Sequence, residues 1–247
     1  MRYIVLLFII TNVFAADILK QDFEDTLIFP LGQPFGLSGT GSGIAVGGLW
    51  KNGVINGDYT PWTVSDNSNF SQGTQCVEIV RNATYGSGMT VGYRTNIYAS
   101  DEFQIECSLK ITDSLNQFGI DTVPPTGQLG NQVSAAYFGE SLQIKDNGAW
   151  RSLNKPVPIN AWFRIVITGS FSLQRYKIFL DTGSGEVLVG SSSFNASTFN
   201  QLSGVYIAPW VQNYYIYVDD VSIKNEVTLK SDTVDWDSDT YMFCAMK

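Results

Sequence analysis

From Phe103 to Ile111 the chain alternates without a break. Phe103, Ile105, Cys107, Leu109 and Ile111 are apolar, and Gln104, Glu106, Ser108 and Lys110 are polar. A strict period of two puts one set of side chains on each face of an extended strand. Such a segment buries one face and shows the other to water, and it cannot present a single apolar stripe as a helix. Ala161 to Thr168 and Arg175 to Leu180 are two further strands of this kind. The second runs into Asp181-Thr182-Gly183-Ser184-Gly185 and then Glu186-Val187-Leu188-Val189, which reads as a hairpin with a glycine-bearing loop. Helical periodicity is almost absent elsewhere. Short runs rich in Val, Ile, Tyr and Phe alternate with clusters of Gly, Asn, Asp and Ser, the pattern of a sandwich of many short strands.

The first residues do not belong to that pattern. Met1-Arg2-Tyr3 carries one positive charge, Ile4 to Ile10 is apolar, and Val13-Phe14-Ala15-Ala16 ends in small residues. This is the layout of a secretory signal peptide, with cleavage expected after Ala15 or Ala16. The apolar run is too short to span a bilayer, and no later stretch is long and apolar enough to do so. Residues 1–16 are therefore read as a leader, 17–225 as one β domain of about 200 residues, and 226–247 as an acidic tail. In the tail, Ser231 to Asp239 is acidic and poor in apolar residues. Two stretches read as long loops: glycine-rich Gly32 to Gly57, and Asp121 to Gln132.

Composition narrows the chemistry. The chain has 15 Lys and Arg against 23 Asp and Glu, a net charge of −8. That acidity disfavours nucleic acid and anionic membranes as partners. There is no histidine. This removes His-based nucleophilic triads, a His general base and His-ligated zinc, and leaves carboxylates, Tyr, Lys and Arg. Of the three cysteines, Cys76, Cys107 and Cys244, at least one is left over within a single exported chain. Cys76 and Cys107 either bridge neighbouring strands or pack as small apolar groups.

The two ends of the domain match in character. Asp22-Phe23-Glu24-Asp25 opens it, and Tyr217-Val218-Asp219-Asp220-Val221 closes it. With Trp62-Thr63-Val64, Gly73 to Ile79, and Trp162-Phe163-Arg164-Ile165 through Asp181-Thr182-Gly183, these segments resemble the concanavalin-A-like lectin/glucanase superfamily in order and spacing. That superfamily includes laminin-G-like jelly rolls and carbohydrate-binding modules, and the likeness covers residues 18–225. It implies an all-β, two-sheet antiparallel jelly-roll sandwich, with ligand on a concave face or at the loop tips. It also implies a secreted carbohydrate-binding module as the leading function, monomeric, with a glycan or polysaccharide as partner. A structural or adhesion module is a further alternative, because a fold does not fix a function.

Three constellations could carry chemistry. Glu102, Gln104 and Glu106 share one strand face. They resemble the E-x-D-x-E strand of jelly-roll β-glucanases with Gln104 in place of the central Asp. That resemblance would make Glu102 the nucleophile and Glu106 the acid/base of a glycoside hydrolase. The alternative is a solvent-facing strand with ordinary acidic residues. Glu24, Asp219 and Asp220 are the expected ligands of one structural calcium, as implied by related carbohydrate-binding modules in which the ion joins first and last strands. Trp50, Tyr59 and Trp150 are the expected aromatic platform for a sugar ring, while Trp62 and Trp162 are assigned to the core.

Overall fold

The computed structural model describes residues 16–21, 24, 42–45, 48–52, 62–64, 73–80, 89–91, 97–98, 102–123, 133–195, 201–202, 204–211 and 214–225. The expected leader before Ala16, the tail after Asn225, Tyr59 and Cys244 lie outside them. No helix of the described residues is long and apolar enough to cross a membrane. The strands in chain order are β1 (Ala16–Gln21), β2 (Ser42–Ala45), β3 (Gly48–Asn52), β4 (Trp62–Val64), β5 (Cys76–Val80) and β6 (Met89–Val91). They continue with β7 (Ile97–Tyr98), β8 (Glu102–Ile111), β9 (Phe118–Val123), β10 (Ser134–Phe138), β11 (Ser141–Asp146) and β12 (Ala149–Ser152). The last are β13 (Trp162–Ser170), β14 (Arg175–Asp181), β15 (Val187–Ser193), β16 (Gln201–Leu202), β17 (Gly204–Pro209) and β18 (Tyr215–Asn225).

β7 and β16 pair with each other as a short ribbon, and the other strands form two stacked antiparallel sheets, neither closed on itself, as expected of a jelly-roll sandwich. The first runs β15-β14-β13-β8-β18-β5-β4, with β1 also on β18. The second runs β12-β11-β10-β9-β17-β6-β3-β2. The alternation read from Phe103 to Ile111 sets which way β8 faces. Phe103, Ile105, Leu109 and Ile111 are fully or almost fully buried, while Glu102, Gln104 and Glu106 are half-buried on the other face. Across the interior they meet Phe118, Ile120, Ile144 and Ile207 of the second sheet in one apolar cluster.

The sheets are also tied by hydrogen bonds. Tyr176, on β14, is buried, and its hydroxyl lies 2.6 Å from the Lys145 carbonyl and 3.1 Å from the Ser134 carbonyl. Burial pushes this phenol up from its ordinary pKa. At one edge Arg151 donates to the Ser191 carbonyl at 2.8 Å, and the Gly148 amide donates to Asn195 Oδ1 at 3.0 Å.

β18 is the strand that closes the domain. Its first half pairs with β5 and its second half with β1, while β8 runs along its other side. Asp17 faces Lys224 and Gln21 faces Val221, so the first and last strands pair. The acidic pair at the centre of β18 falls on a bulge. The register against β8 shifts between Asp219 and Ser222, and Asp220 has φ of 46°. Asp219 is fully buried, and its Oδ1 accepts the Asp220 amide at 2.9 Å. An extra residue bends a strand and strengthens its twist locally.

Some expectations change. The stretch Gly32 to Gly57 holds a hairpin, because β2 pairs with β3 from Ser42–Lys51 to Ala45–Gly48. Asp121 is not a loop residue: it lies in β9, buried, with Ser134 Oγ donating to its Oδ1 at 2.5 Å. Cys76 and Cys107 are both buried and are not joined to each other by a disulfide. The reason is topological: β18 lies between β5 and β8. Strands two places apart are about 9.6 Å apart, beyond the reach of a disulfide. The expected hairpin is present as β14 and β15, and Asp181 Oδ1 accepts the amides of Gly183 (2.8 Å) and Gly185 (3.0 Å).

Replacing Tyr176 with Phe should leave the fold intact but cost about 1–3 kcal/mol, because a buried carbonyl loses its donor. Urea unfolding of the two forms measures this, and an unchanged midpoint would show that the hydroxyl does not tie the sheets.

Candidate functional site

Two outward faces carry groups that a ligand could use. On the first sheet the outward residues of β8 are Glu102, Gln104, Glu106, Ser108 and Lys110. Their register neighbours on β13 are Ser170, Thr168, Val166, Arg164 and Trp162. At one end Trp162 faces Lys110, Lys110 faces Tyr217, and Tyr217 faces Glu78, so one row crosses four strands. The Lys110 ammonium sits 5.7 Å from the Tyr217 ring centroid, and Tyr215 meets Tyr217 edge-on at 5.4 Å. Burial, and then the neighbouring Glu78 charge, push the Tyr217 phenol up, so it stays a neutral donor.

The middle of this face is an ion-pair network. Glu106 Oε1 accepts from Lys224 Nζ at 2.6 Å and from Gln104 Nε2, while its Oε2 lies 3.9 Å from Arg164. Arg164 also pairs with Asp181 at 3.3 Å and Glu186 at 3.0 Å. The face is recessed: Ser108, Lys110, Thr168 and Ser222 are each less than a tenth exposed. Burial, with the Glu106 charge second, pushes the Cys107 thiol up, which leaves it protonated and inert. Three polar atoms here are buried without a hydrogen-bond partner among the described residues: Thr168 Oγ1, Ser222 Oγ and Trp162 Nε1.

The sequence readings map onto this face unevenly. Glu102 and Glu106 do share it. The register of β8 against β13 is unbroken from Glu102 to Lys110, so four strand residues separate their Cα atoms by about 13 Å. A retaining pair needs carboxyl groups about 5–5.5 Å apart, a gap left to the side chains. Trp162, assigned to the core, is instead half-buried on the outward face. The signal was present, since Phe163, Ile165 and Ile167 take the inward places and leave Trp162 and Arg164 outward.

At the expected calcium ligands, Glu24 accepts three hydrogen bonds: the Thr74 amide (2.8 Å), the Thr74 hydroxyl (2.8 Å) and the Gln75 amide (3.1 Å). Among the described residues no three His, Cys, Asp or Glu side chains gather in a metal-binding group.

The second face belongs to the other sheet. Trp150 on β12 faces Lys145 on β11, and its ring lies 5.4 Å beneath the Lys145 ammonium. Phe138 and Trp210 pack on Trp150 at 5.8 and 5.4 Å, and on each other at 5.7 Å. Trp210 lies flat over Gly119, where any Cβ would come within 2.6 Å of the indole. The structure does not bring Trp50 to this cluster. Trp50 is on β3, six strand places from β12 in the same sheet, or about 29 Å. Sequence reading singled out Trp150 and missed Phe138, which joins it only through the β10–β11–β12 meander.

No protein-family model and no curated protein matches the sequence. Solved structures do match in fold. Lectin II from Ulex europaeus superposes with a TM-score of 0.52 at 13% identity, covering 85% of this chain and 99% of that one. The galactose complex of lectin UEA-II gives 0.52 at 12%, with the same coverage. A sialidase gives 0.53 at 10%, covering 85% of this chain, which spans only 19% of the sialidase. At such identities the likeness is one of fold alone: two stacked antiparallel sheets arranged as a jelly roll.

Burial raises the Asp121 carboxyl above its ordinary value of 3.8, against smaller lowering effects of the Ser134 hydrogen bond and the Lys145 charge. The folded state therefore holds this proton more tightly than the unfolded chain. Its stabilising share is complete below 3.8 and is lost as pH rises through the raised folded value. Asp121→Asn should remove that loss, so its stability relative to the parent should rise from acid to neutral pH. Thermal unfolding across that range measures the difference, and a flat difference would show that Asp121 does not titrate abnormally.

Proposed function

We propose that this chain is a secreted carbohydrate-binding protein that holds a glycan along the outward face of the first sheet without cleaving it. The observation that carries this reading is the row of half-buried polar and aromatic groups on that face. Glu102, Gln104, Glu106, Trp162, Arg164 and Lys224 are only half-buried there, so a bound molecule reaches both ring and polar groups. The Trp162 ring stands at the Lys110 end of the strip, and Glu106 and Gln104 lie toward its other end. A recessed surface that mixes aromatic faces with a few placed polar groups suits a sugar, whose C–H faces stack while its hydroxyls bond. From Lys110 to Gln104 the strip is about 20 Å long, which favours an extended chain over a single ring.

Retention of the ligand without cleavage rests on Glu106. A general acid must hold a proton ready at a free oxygen. Here Oε1 is taken by Lys224 and Gln104, and Oε2 faces Arg164. The central acid of the glucanase pattern is the amide of Gln104, which donates to Glu106 in place of sharing a proton. The leader-like segment Ile4 to Ile10, followed by Ala15-Ala16, supports export.

The test is titration calorimetry against soluble glucan, mannan, xylan and galactan fragments, with and without calcium. Trp162→Ala and Tyr217→Ala should each weaken binding at least tenfold, about 1.4 kcal/mol. Glu102→Gln should bind as the parent does and release no sugar. Sugar release that Glu102→Gln abolishes would replace this reading with a hydrolase in which Glu102 attacks and Glu106 protonates. Dependence on calcium would support a structural ion among Glu24, Asp219 and Asp220.

A further inference from the structure

We infer that the outward face of the second sheet is a second saccharide-binding surface, so that one copy of the chain grips two glycan chains on opposite faces. The inference takes its ligand class from the saccharide reading above, but it stands on different residues. Solvent-facing sides of antiparallel sheets are normally polar. This one carries a band that alternates ring and charge. Trp150 faces Lys145 across β12 and β11, Ser134 faces Asp121 across β10 and β9, and Asp121 faces Tyr206 across β9 and β17. Four strand steps make the band about 19 Å long.

Two outward positions along the strands, Phe138 and Trp210 send their rings back against Trp150. Trp150 stands at 86° to Phe138 and 65° to Trp210, so the rings make a corner into which a sugar ring seats face-on to one indole and edge-on to another. All four aromatic residues are half-buried. The corner is built rather than incidental, because Gly119 beneath Trp210 leaves no room for even a methyl group.

The charged places decide the occupant. The core of a protein–protein interface is depleted of charge. Here the half-buried Lys145 stands beside the aromatic corner, while Asp121 and Ser134 farther along the band are buried. The ammonium lies over the Trp150 ring. An ammonium donor among three rings matches the hydroxyls and C–H faces of a sugar, whereas a second copy of this chain would have to bury that charge.

The experiment is calorimetry of the full chain with a hexasaccharide of the glycan it binds, together with turbidity on adding the parent polysaccharide. The expected stoichiometry is two sites per chain, with turbidity from cross-linking. Trp150→Ala should leave one site and abolish turbidity. Lys145→Ala, which keeps all the rings, should weaken the same site several-fold at an unchanged melting temperature. Trp162→Ala should remove the other site only. A single site that Trp162→Ala removes, untouched by Trp150→Ala and Lys145→Ala, overturns this inference and leaves the first reading standing. A single site lost in Trp150→Ala alone overturns the first reading and upholds this face. No binding to any probe overturns both.

Discussion

Everything on the first sheet depends on the pairing of β8 with β18. These two long strands, more than a hundred residues apart in sequence, run side by side, with β13 outside β8 and with β5 and β1 outside β18. A strand contributes one side chain to each face at every second residue, so this pairing sets which residues of distant segments become neighbours. It brings Lys224 to Glu106, Tyr217 to Lys110 and Asp219 to Ser108. The bulge at Asp219 and Asp220 lets β18 serve two partners on its far side. Its residues up to Val218 pair with β5, and those from Val221 pair with β1.

The outward face of that sheet is settled by charge. Arg164 is shared among Asp181, Glu186 and, more distantly, Glu106, and Lys224 completes the set. Half-buried ion pairs of this kind add little to stability on balance, but losing one partner leaves the other charge uncompensated. Their consequence is geometric: they hold Glu106 and Gln104 in one arrangement, and that makes the face a preorganised surface. Trp162, half-buried, and Tyr217, buried, lie at the end of this network. The hydroxyls of Thr168 and Ser222 lie along it, and their bonding needs are met by no described residue.

Alternation made much of the sandwich legible. Phe103, Ile105, Leu109 and Ile111 point inward as the pattern requires, and the glycines after Asp181 mark a real hairpin. Where reading failed, the cause was a contact between distant segments. Gly32 to Gly57 reads as a loop because its glycines suppress strand propensity, yet Ser42 to Ala45 and Gly48 to Asn52 pair as a hairpin. Asp121 reads as a loop acid because a buried carboxylate is improbable without its partner, and Ser134 joins it only when β10 returns beside β9. Trp50 and Trp150 look alike in sequence but lie on strands at distant places in the second sheet.

The sequence by itself determined the class of the fold, the inward face of each long strand, and the exclusion of histidine chemistry. These are local properties: a period of two, a turn residue or a missing side chain needs no knowledge of what lies across the sheet. Only the tertiary structure decided that Cys76 and Cys107 remain apart, that Glu106 answers to Lys224, and that Trp150 joins Phe138 and Trp210. Those outcomes follow from strand order and register. A repeat of two says which face a residue takes but not which strand lies beside it, because every apolar face of the right length can pair with several others. The choice among them falls to the packed core as a whole, where the faces must fill one interior together.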